Sequence, residues 1–502
     1  MFRGLILLAC IILFFSLSSA HVRCGTVQFA ENAANPAKKI LAKSGCSPRD
    51  YYGDVLERRT QHFIIYYTLG KAHAVKTTAY IDSLAKYLEQ AYELHTKTLG
   101  MRGILAVNHG YHYEKRVPTG LYPVEVIDTG LLRNHEGEFS TAFGLTFSPS
   151  GGKATQIAIE NDFLYGATCG KPSSTNPFIS KINGDYSQPN KWHLALKATV
   201  FHELYHSFQM GQVGILDNNL FWLEASATGV EDIGAPEVND YISYLSYNFS
   251  NLGKSMNNLS DMEMYGYATL YLFLYSELGP HFDSEIWNYF SNSRFAGDKF
   301  SRQLARLAYS RNMDAEDLFH KYASSIFYSG QRAAFASPGS LYWNDMQKWP
   351  EWQLKQSFPR ELPAGAFYFL KKTDDDMPSI NSVVKASSLS YSGGDSSVWV
   401  FSRLLEREFV PDGDEPYEEH ARGFVAYPSP WRPNRNAGIK FGPLPKSATG
   451  VEIRSSNGAL LERIKGKPGD VLTWEPKKRL APGILYYRAL PYGKNQVLIV
   501  EY

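Results

Sequence analysis

The hydrophobic rhythm of the chain changes several times, and each change predicts a different kind of element. A continuous apolar run, residues 5–17, follows Arg3 and precedes Ser18-Ser19-Ala20. One positive charge, a short apolar core and small residues make a cleavable signal peptide over 1–20, too short for a membrane span. Residues 21–50 read as an N-terminal segment of pro-like or packing character. From residue 60, strand and helix periods alternate: 62–67, 122–127 and 156–161 read as strands, and 77–99 as an amphipathic helix. Residues 190–210 have few breakers, and Leu194, Ala198, Phe201, Leu204 and Phe208 recur at helical spacing as a core face. Asn190 suits the N-cap of that helix and Gly211 the position just past its end. A turn over 211–219 leads into a second helix, 220–232, capped by Asn218 or Asn219. Residues 239–330 stay helical, and within them 265–277 carries Tyr267, Leu270, Tyr271, Leu274 and Tyr275 at core spacing. Beyond residue 350 short strand patterns take over, at 366–370, 397–401 and 423–427, among Gly, Ser, Asp and Pro clusters.

The long helix carries the candidate chemistry. Ala195, Thr199, His202, His206 and Gln209 form a second stripe on it, and His202-Glu203-Leu204-Tyr205-His206 has the form H-E-x-x-H. Residues four apart share one helix face, so both imidazoles can aim at one point. Neutral imidazole is a good Zn²⁺ ligand, and the intervening Glu203 suits a general base toward an activated water. A catalytic zinc site takes three protein ligands and keeps one position open. The second helix offers Glu224 in its first turns, with Thr228 and Glu231 following on the same face.

Composition narrows the setting. A chain of 502 residues with 44% hydrophobic content can bury several cores, so more than one structural unit is expected. A net charge of +1 gives no reason to expect nucleic acid or an anionic membrane surface as partner. The sequence has four Cys. Leu7-Leu8-Ala9-Cys10 imitates a lipoprotein cleavage box, but cutting there would sever the apolar run midway. A disulfide in the mature chain, most simply Cys24 to Cys46, would leave Cys169 as an odd thiol.

His202-Glu203-Leu204-Tyr205-His206, followed by Trp222-Leu223-Glu224-Ala225-Ser226-Ala227-Thr228 with seventeen residues between His206 and Glu224, resembles the gluzincins, the thermolysin-like and aminopeptidase-like zinc peptidases. The ligand gap is slightly shorter than is usual in that family. The resemblance implies an α+β zincin-like catalytic domain, with a mixed sheet above an active-site helix and a helical lower half. It implies Zn²⁺ on His202, His206 and Glu224, with Glu203 catalytic; Glu231 remains the rival third ligand. Thr228 stands where thermolysin-like members place a carboxylate that orients the first histidine, so Glu231 is the candidate for that role. Tyr265 and Tyr267 are candidate donors to the developing oxyanion, as a Tyr or His is in the related peptidases. In such folds the last strand before the helix is an edge strand that binds an extended peptide, which places 156–161 at the edge. Its end, Ala158-Ile159-Glu160-Asn161, faintly echoes the amine-holding sequence of aminopeptidases but reads better as an ordinary strand end.

Toward the C-terminus, Tyr427-Pro428-Ser429-Pro430-Trp431-Arg432-Pro433, Ile439-Lys440-Phe441, 451–458, Trp474 and 480–488 follow in an order similar to type IX secretion sorting domains or the flagellar-hook-cap β-domain. The resemblance implies contact with secretion machinery and cell-surface attachment. The expected plan is therefore a signal peptide (1–20), an N-terminal segment (21–50), a metallopeptidase domain (51–345), a β-rich accessory domain (346–422) and a β-sandwich (423–502), the last two all-β. The expected function is a secreted zinc endopeptidase acting on protein or peptide. The competing readings are a zinc aminopeptidase, or a surface adhesion protein carrying a degenerate zincin domain.

Overall fold

The computed structural model describes residues 53–75, 77–129, 142–163, 167–168, 171–172, 191–214, 219–259, 261–336 and 343–372, then shorter stretches from 377 to 406 and from 409 to 500. The expected signal peptide and N-terminal segment, with Cys10, Cys24 and Cys46, lie outside the described residues, as do Cys169, Asn190 and Asn218. The chain divides into two compact units, one ending at Gln303 and resuming over Phe319–Arg407, the other made of Leu304–Leu318 and Glu408–Tyr502.

The first unit is mixed α/β. Its main sheet has the order β1-β2-β3-β5-β4, from β1 (Val55–Arg59), β2 (Phe63–Thr68), β3 (Tyr122–Ile127), β4 (Gly144–Phe147) and β5 (Gln156–Glu160). The central pairs β2–β3 and β3–β5 are parallel, while β1 and β4 run antiparallel to their neighbours at the two edges. Every residue of β3 and β5 is buried, as a parallel strand covered on both faces requires. The strand expected at 156–161 is therefore interior rather than an edge. The edge beside the long helix is β4, four residues too short to show an alternation.

One helix, α1 (Thr78–Glu93), buries Tyr80, Ile81, Leu84, Ala85, Leu88 and Ala91 on one stripe and ends in a wider π turn, Leu94–Thr98. Beyond the short pair β6 (Ala167–Thr168) and β7 (Lys171–Pro172) comes α2 (Trp192–Val213). It is covered on all sides, with every residue from Thr199 to Met210 buried. It packs against α1, β4, β5, α3 (Leu220–Gly234) and a later helix, Phe282–Ser291. Gly211 lies inside α2 and not past its end; the helix stops at Gly214, whose φ of +75° suits glycine. Asn219 precedes α3 without a side-chain cap. Its amide instead donates to Asp298 O at 3.1 Å and accepts from Phe300 N at 2.8 Å, so it caps the helix Phe300–Ser310.

The helical half continues with α4 (Leu245–Phe249), α5 (Asp261–Gly266), α6 (Ala268–Leu278) and α7 (Phe282–Ser291). The expected single helix over 265–277 breaks at Tyr267, because Asn248 donates to Glu263 O and fills the space beside Gly266. A three-stranded sheet, β8 (Ala366–Lys371), β10 (Ser397–Arg403) and β9 (Lys385–Ser390) in that order, belongs to this unit as well. In the second unit, sheets β11 (Val425–Tyr427)–β12 (Ile439–Gly442)–β15 (Leu472–Trp474) and β14 (Leu460–Lys465)–β13 (Gly450–Ser455)–β16 (Gly483–Leu490)–β17 (Gln496–Val500) close on one core that includes Phe441, Val451, Trp474 and Tyr487. Among the described residues no helix is long and apolar enough to cross a membrane.

Candidate metal centre

Helix α2 sets His202 and His206 one turn apart, with their Nε2 atoms 2.9 Å from each other and their rings edge to face. Helix α3 brings Glu224 to the same point: Oε2 lies 3.3 Å from His202 Nε2 and Oε1 lies 3.5 Å from His206 Nε2. All three residues are buried, and each offers an atom within 4.8 Å of the others. Two features bring the helices this close. Gly234 leaves the ring of Phe201 nowhere to collide, since a Cβ there would stand 2.1 Å from it. Trp222, just ahead of Glu224, stacks on Phe300 at 3.9 Å and donates its indole N–H to the buried Asp283 carboxylate at 2.8 Å.

The hydrogen bonds behind the imidazoles decide what the site demands. Gln209 donates through Nε2 to Ser226 Oγ at 2.8 Å and to Leu223 O at 3.2 Å, which turns its Oε1 toward His206 Nδ1 at 2.7 Å. An amide oxygen only accepts, so His206 Nδ1 carries the hydrogen. Glu231 Oε1 lies 2.5 Å from His202 Nδ1 and fixes that ring the same way. When the rings are neutral, as metal-binding imidazoles are, both Nε2 atoms present lone pairs to each other and to the Glu224 carboxylate. Where the rings are protonated instead, burial works against the charge of Glu224, yet the His206 and His202 charges and hydrogen bonds outweigh it and hold its carboxyl down at about 2. Four acceptor atoms converging in a buried space repel unless a cation sits among them. The residues therefore fit a metal ion.

Glu203 points from the same helix toward the sheet. It is 1% exposed, and burial raises its carboxyl above the usual range against the opposing pull of His202, His206 and Thr146. Thr146, on edge strand β4, donates its hydroxyl to Glu203 Oε2 at 2.8 Å. The strand reaches so close only because Gly144 lacks a side chain; a Cβ there would stand 2.6 Å from Glu203 Cγ and 2.7 Å from Thr199 Cγ2. Thr146 and Gly144 escape sequence reasoning, because they lie 57 and 59 positions upstream of Glu203 on a strand with no periodic signal. Gln209 carried a signal in its place on the histidine stripe, three residues after His206.

The remaining candidates separate. The Tyr265 ring lies 6.2 Å from that of His202 and stacks on Tyr244 at 4.8 Å. Tyr267 instead packs on Phe221 and lines a different cavity with Asn248, Lys254, Glu263 and Trp352; burial and then Glu263 push its phenol pKa up. Thr228 donates to Glu224 O at 2.9 Å, within its own helix. Glu160 is fully buried and accepts from Thr129 N at 2.8 Å. No protein-family model matches the chain, and no curated protein or solved structure matches it.

Proposed function

We propose that this protein is a secreted zinc-dependent endopeptidase, with His202, His206 and Glu224 as the metal ligands and Glu203 as general base. The convergence of four buried acceptor atoms beside a buried glutamate carries the reading. Two imidazoles and one carboxylate are the ligand number and chemistry of catalytic zinc, a set that leaves one position for water. When bound, the ion supplies a Lewis acid for the scissile carbonyl and makes water acidic enough to ionise near neutrality.

The rest belongs to the chain. Glu203 takes the proton from water and delivers it to the leaving amine, and its raised pKa keeps it a competent base. Thr146 holds one carboxylate oxygen so that the other faces the reacting water. Gln209 and Glu231 keep both rings in the tautomer whose Nε2 can bind a metal. Among the described residues nothing pairs with the outer side of β4, so an extended peptide can add to it as a further strand, which suits cleavage within a chain. Tyr265, beside His202, is the better placed of the two tyrosines to donate to the oxyanion. Export through residues 1–20 and sorting through 423–502 complete the proposal.

Glu203→Gln should keep one zinc per chain while casein cleavage falls at least about 100-fold. A chelator should abolish cleavage by the natural chain, and zinc should restore it. Unchanged turnover in Glu203→Gln removes the proposed base; bound metal with no cleavage by the natural chain leaves a degenerate site on an adhesion protein.

A further inference from the structure

Along β13, Val451 and Ile453 enter the core of the second unit, so Glu452 and Arg454 belong to the opposite, outer face of the sheet. Strand pairing carries that face across the sheet. Glu452 stands opposite Arg463 of β14 and Arg488 of β16, Gly450 opposite Lys465, and Arg454 opposite Tyr486. The arginines converge on one carboxylate. Arg454 Nε donates to Glu452 Oε1 at 2.8 Å, Arg488 Nε to the same oxygen at 3.0 Å, and Arg463 Nε to Oε2 at 2.7 Å. Nη2 of Arg488 and Nη2 of Arg463 add contacts at 2.9 and 2.5 Å. Glu452 is wholly covered, while the side chains of Arg454, Arg463 and Arg488 stay 34%, 56% and 36% exposed. The arginines, Arg454 first, hold its carboxyl down at about 2 against burial, so the cluster keeps its charges across the ordinary pH range. Glu462 pairs with Ile453 and belongs to the other face. Four cations, Lys465 included, against one carboxylate leave the described outer face three positive charges. Ile484 and Ile499, paired across β16 and β17 on the same face, are 46% and 42% exposed.

One carboxylate does not use up three guanidiniums. Each carries five N–H donors in a rigid fork, and the contacts from Arg463 and Arg488 to Glu452 run through Nε and Nη2. Their Nη1 groups remain for a second acceptor. Glu452 also holds these long side chains in place, which lowers the ordering cost that a partner would otherwise meet. Like charge argues against a second copy of this face, since six arginines would then oppose one another. A bare phosphate or sulfate would leave the two isoleucines unused. Arginine and tyrosine beside exposed apolar side chains have the composition of a protein interface. We propose that this face docks an acidic segment of a partner protein, with carboxylates on Arg463 and Arg488 and an apolar side chain on Ile484 and Ile499. Arg488 and Ile484 stand four residues apart in β16, about 13 Å, so an extended segment needs its acidic and apolar residues at the same separation. The proposal does not depend on the peptidase reading.

The test is fluorescence anisotropy with the full chain carrying Glu203→Gln, so that no probe is cut. The probe is a labelled serine-rich peptide with two aspartates and an isoleucine four positions after the second; its control has asparagine in place of aspartate. The acidic probe should bind at least about tenfold more tightly than the control, the size of two exposed ion pairs. Raising the salt to about 0.3 M should shrink that ratio. Adding Arg463→Gln or Arg488→Gln should weaken the acidic probe at least about threefold and leave the control unchanged. Adding Glu452→Gln removes the carboxylate that competes for the same forks, so the acidic probe should bind more tightly, which a misfolded face could not do. Ile499→Ser should weaken the acidic probe, as should moving its isoleucine next to the aspartates. Equal affinity for the two probes, or arginine variants that bind the acidic probe like the parent chain, overturns the proposal. Inorganic phosphate that matches the peptide's affinity would make this a small-anion site. Tighter binding to phosphatidylglycerol vesicles, lost in the arginine variants, would make it a membrane contact. Either result overturns the protein partner.

Discussion

The hydrogen bonds behind His202 and His206 turn a pair of histidines into a site that calls for a cation. An isolated H-E-x-x-H contact at 2.9 Å between imidazoles could be read as one ring donating to the other. The Gln209 oxygen and the Glu231 carboxylate remove that option for a neutral pair by occupying both Nδ1 hydrogens, which leaves a proton or a metal ion to sit between the Nε2 atoms. Their loss should therefore be felt at the metal. Glu231→Ala should weaken zinc binding about 10- to 100-fold in competition with a chromophoric chelator. Affinity equal to that of the natural chain would show that His202 needs no partner. At the base, Gly144→Ala should leave zinc binding intact but lower kcat, because the added Cβ displaces Glu203 or β4. Such overpacking costs about 1–3 kcal/mol, which thermal unfolding should register alongside the kinetics.

Among the elements, α2, α3 and α7 meet at one carboxylate. Asp283 is fully buried and accepts from Trp222 Nε1 at 2.8 Å, Trp287 Nε1 at 3.0 Å and the Tyr205 hydroxyl. Tyr205 sits next to His206 in sequence and Trp222 sits two residues before Glu224, so the hub holds both ligand-bearing helices in register. Burial raises its carboxyl from 3.8 to about 6, against the pull of the three donors. Between those two pH values the folded chain retains a proton that the unfolded chain has released. Stability from this group is fully present below about pH 3.8 and is lost by about pH 6, a change of about 3 kcal/mol. The melting temperature of the natural chain relative to Asp283→Asn should fall as pH rises from 4 to 6.5; a constant difference would place the titration elsewhere.

The whole molecule has two compact units, and the candidate centre is built entirely within the one that holds α2 and α3. A ligand that binds only the folded form stabilises the unit that holds it, by about 2.7 kcal/mol at 100 times its Kd. Calorimetry should therefore resolve two transitions, of which only one moves down when zinc is chelated. A joint shift of both would mean that the units unfold together. The β8–β10–β9 sheet belongs to the unit with the candidate centre, where hydrogen bonds between His320 and the Ser402 and Ser387 hydroxyls join the strands to the helical half.

Local order was legible in the chain itself wherever a period ran long enough. The α2 stripe, the four-residue spacing of His202 and His206 and the apolar runs of β2, β3 and β5 are statements about near neighbours, and near neighbours are what sequence records. Glu224 was reached by resemblance, and Glu231 by its place on the same helix face. Tertiary structure alone decided the rest, because it depends on which distant segments come within a few ångströms. It placed β4 at the sheet edge, set Thr146 on Glu203 through the gap at Gly144, turned Asn219 to a different helix, separated Tyr265 from Tyr267, and drew Arg463 and Arg488 onto Glu452. Contacts of that kind follow from packing the whole core at once, and no window along the chain contains them.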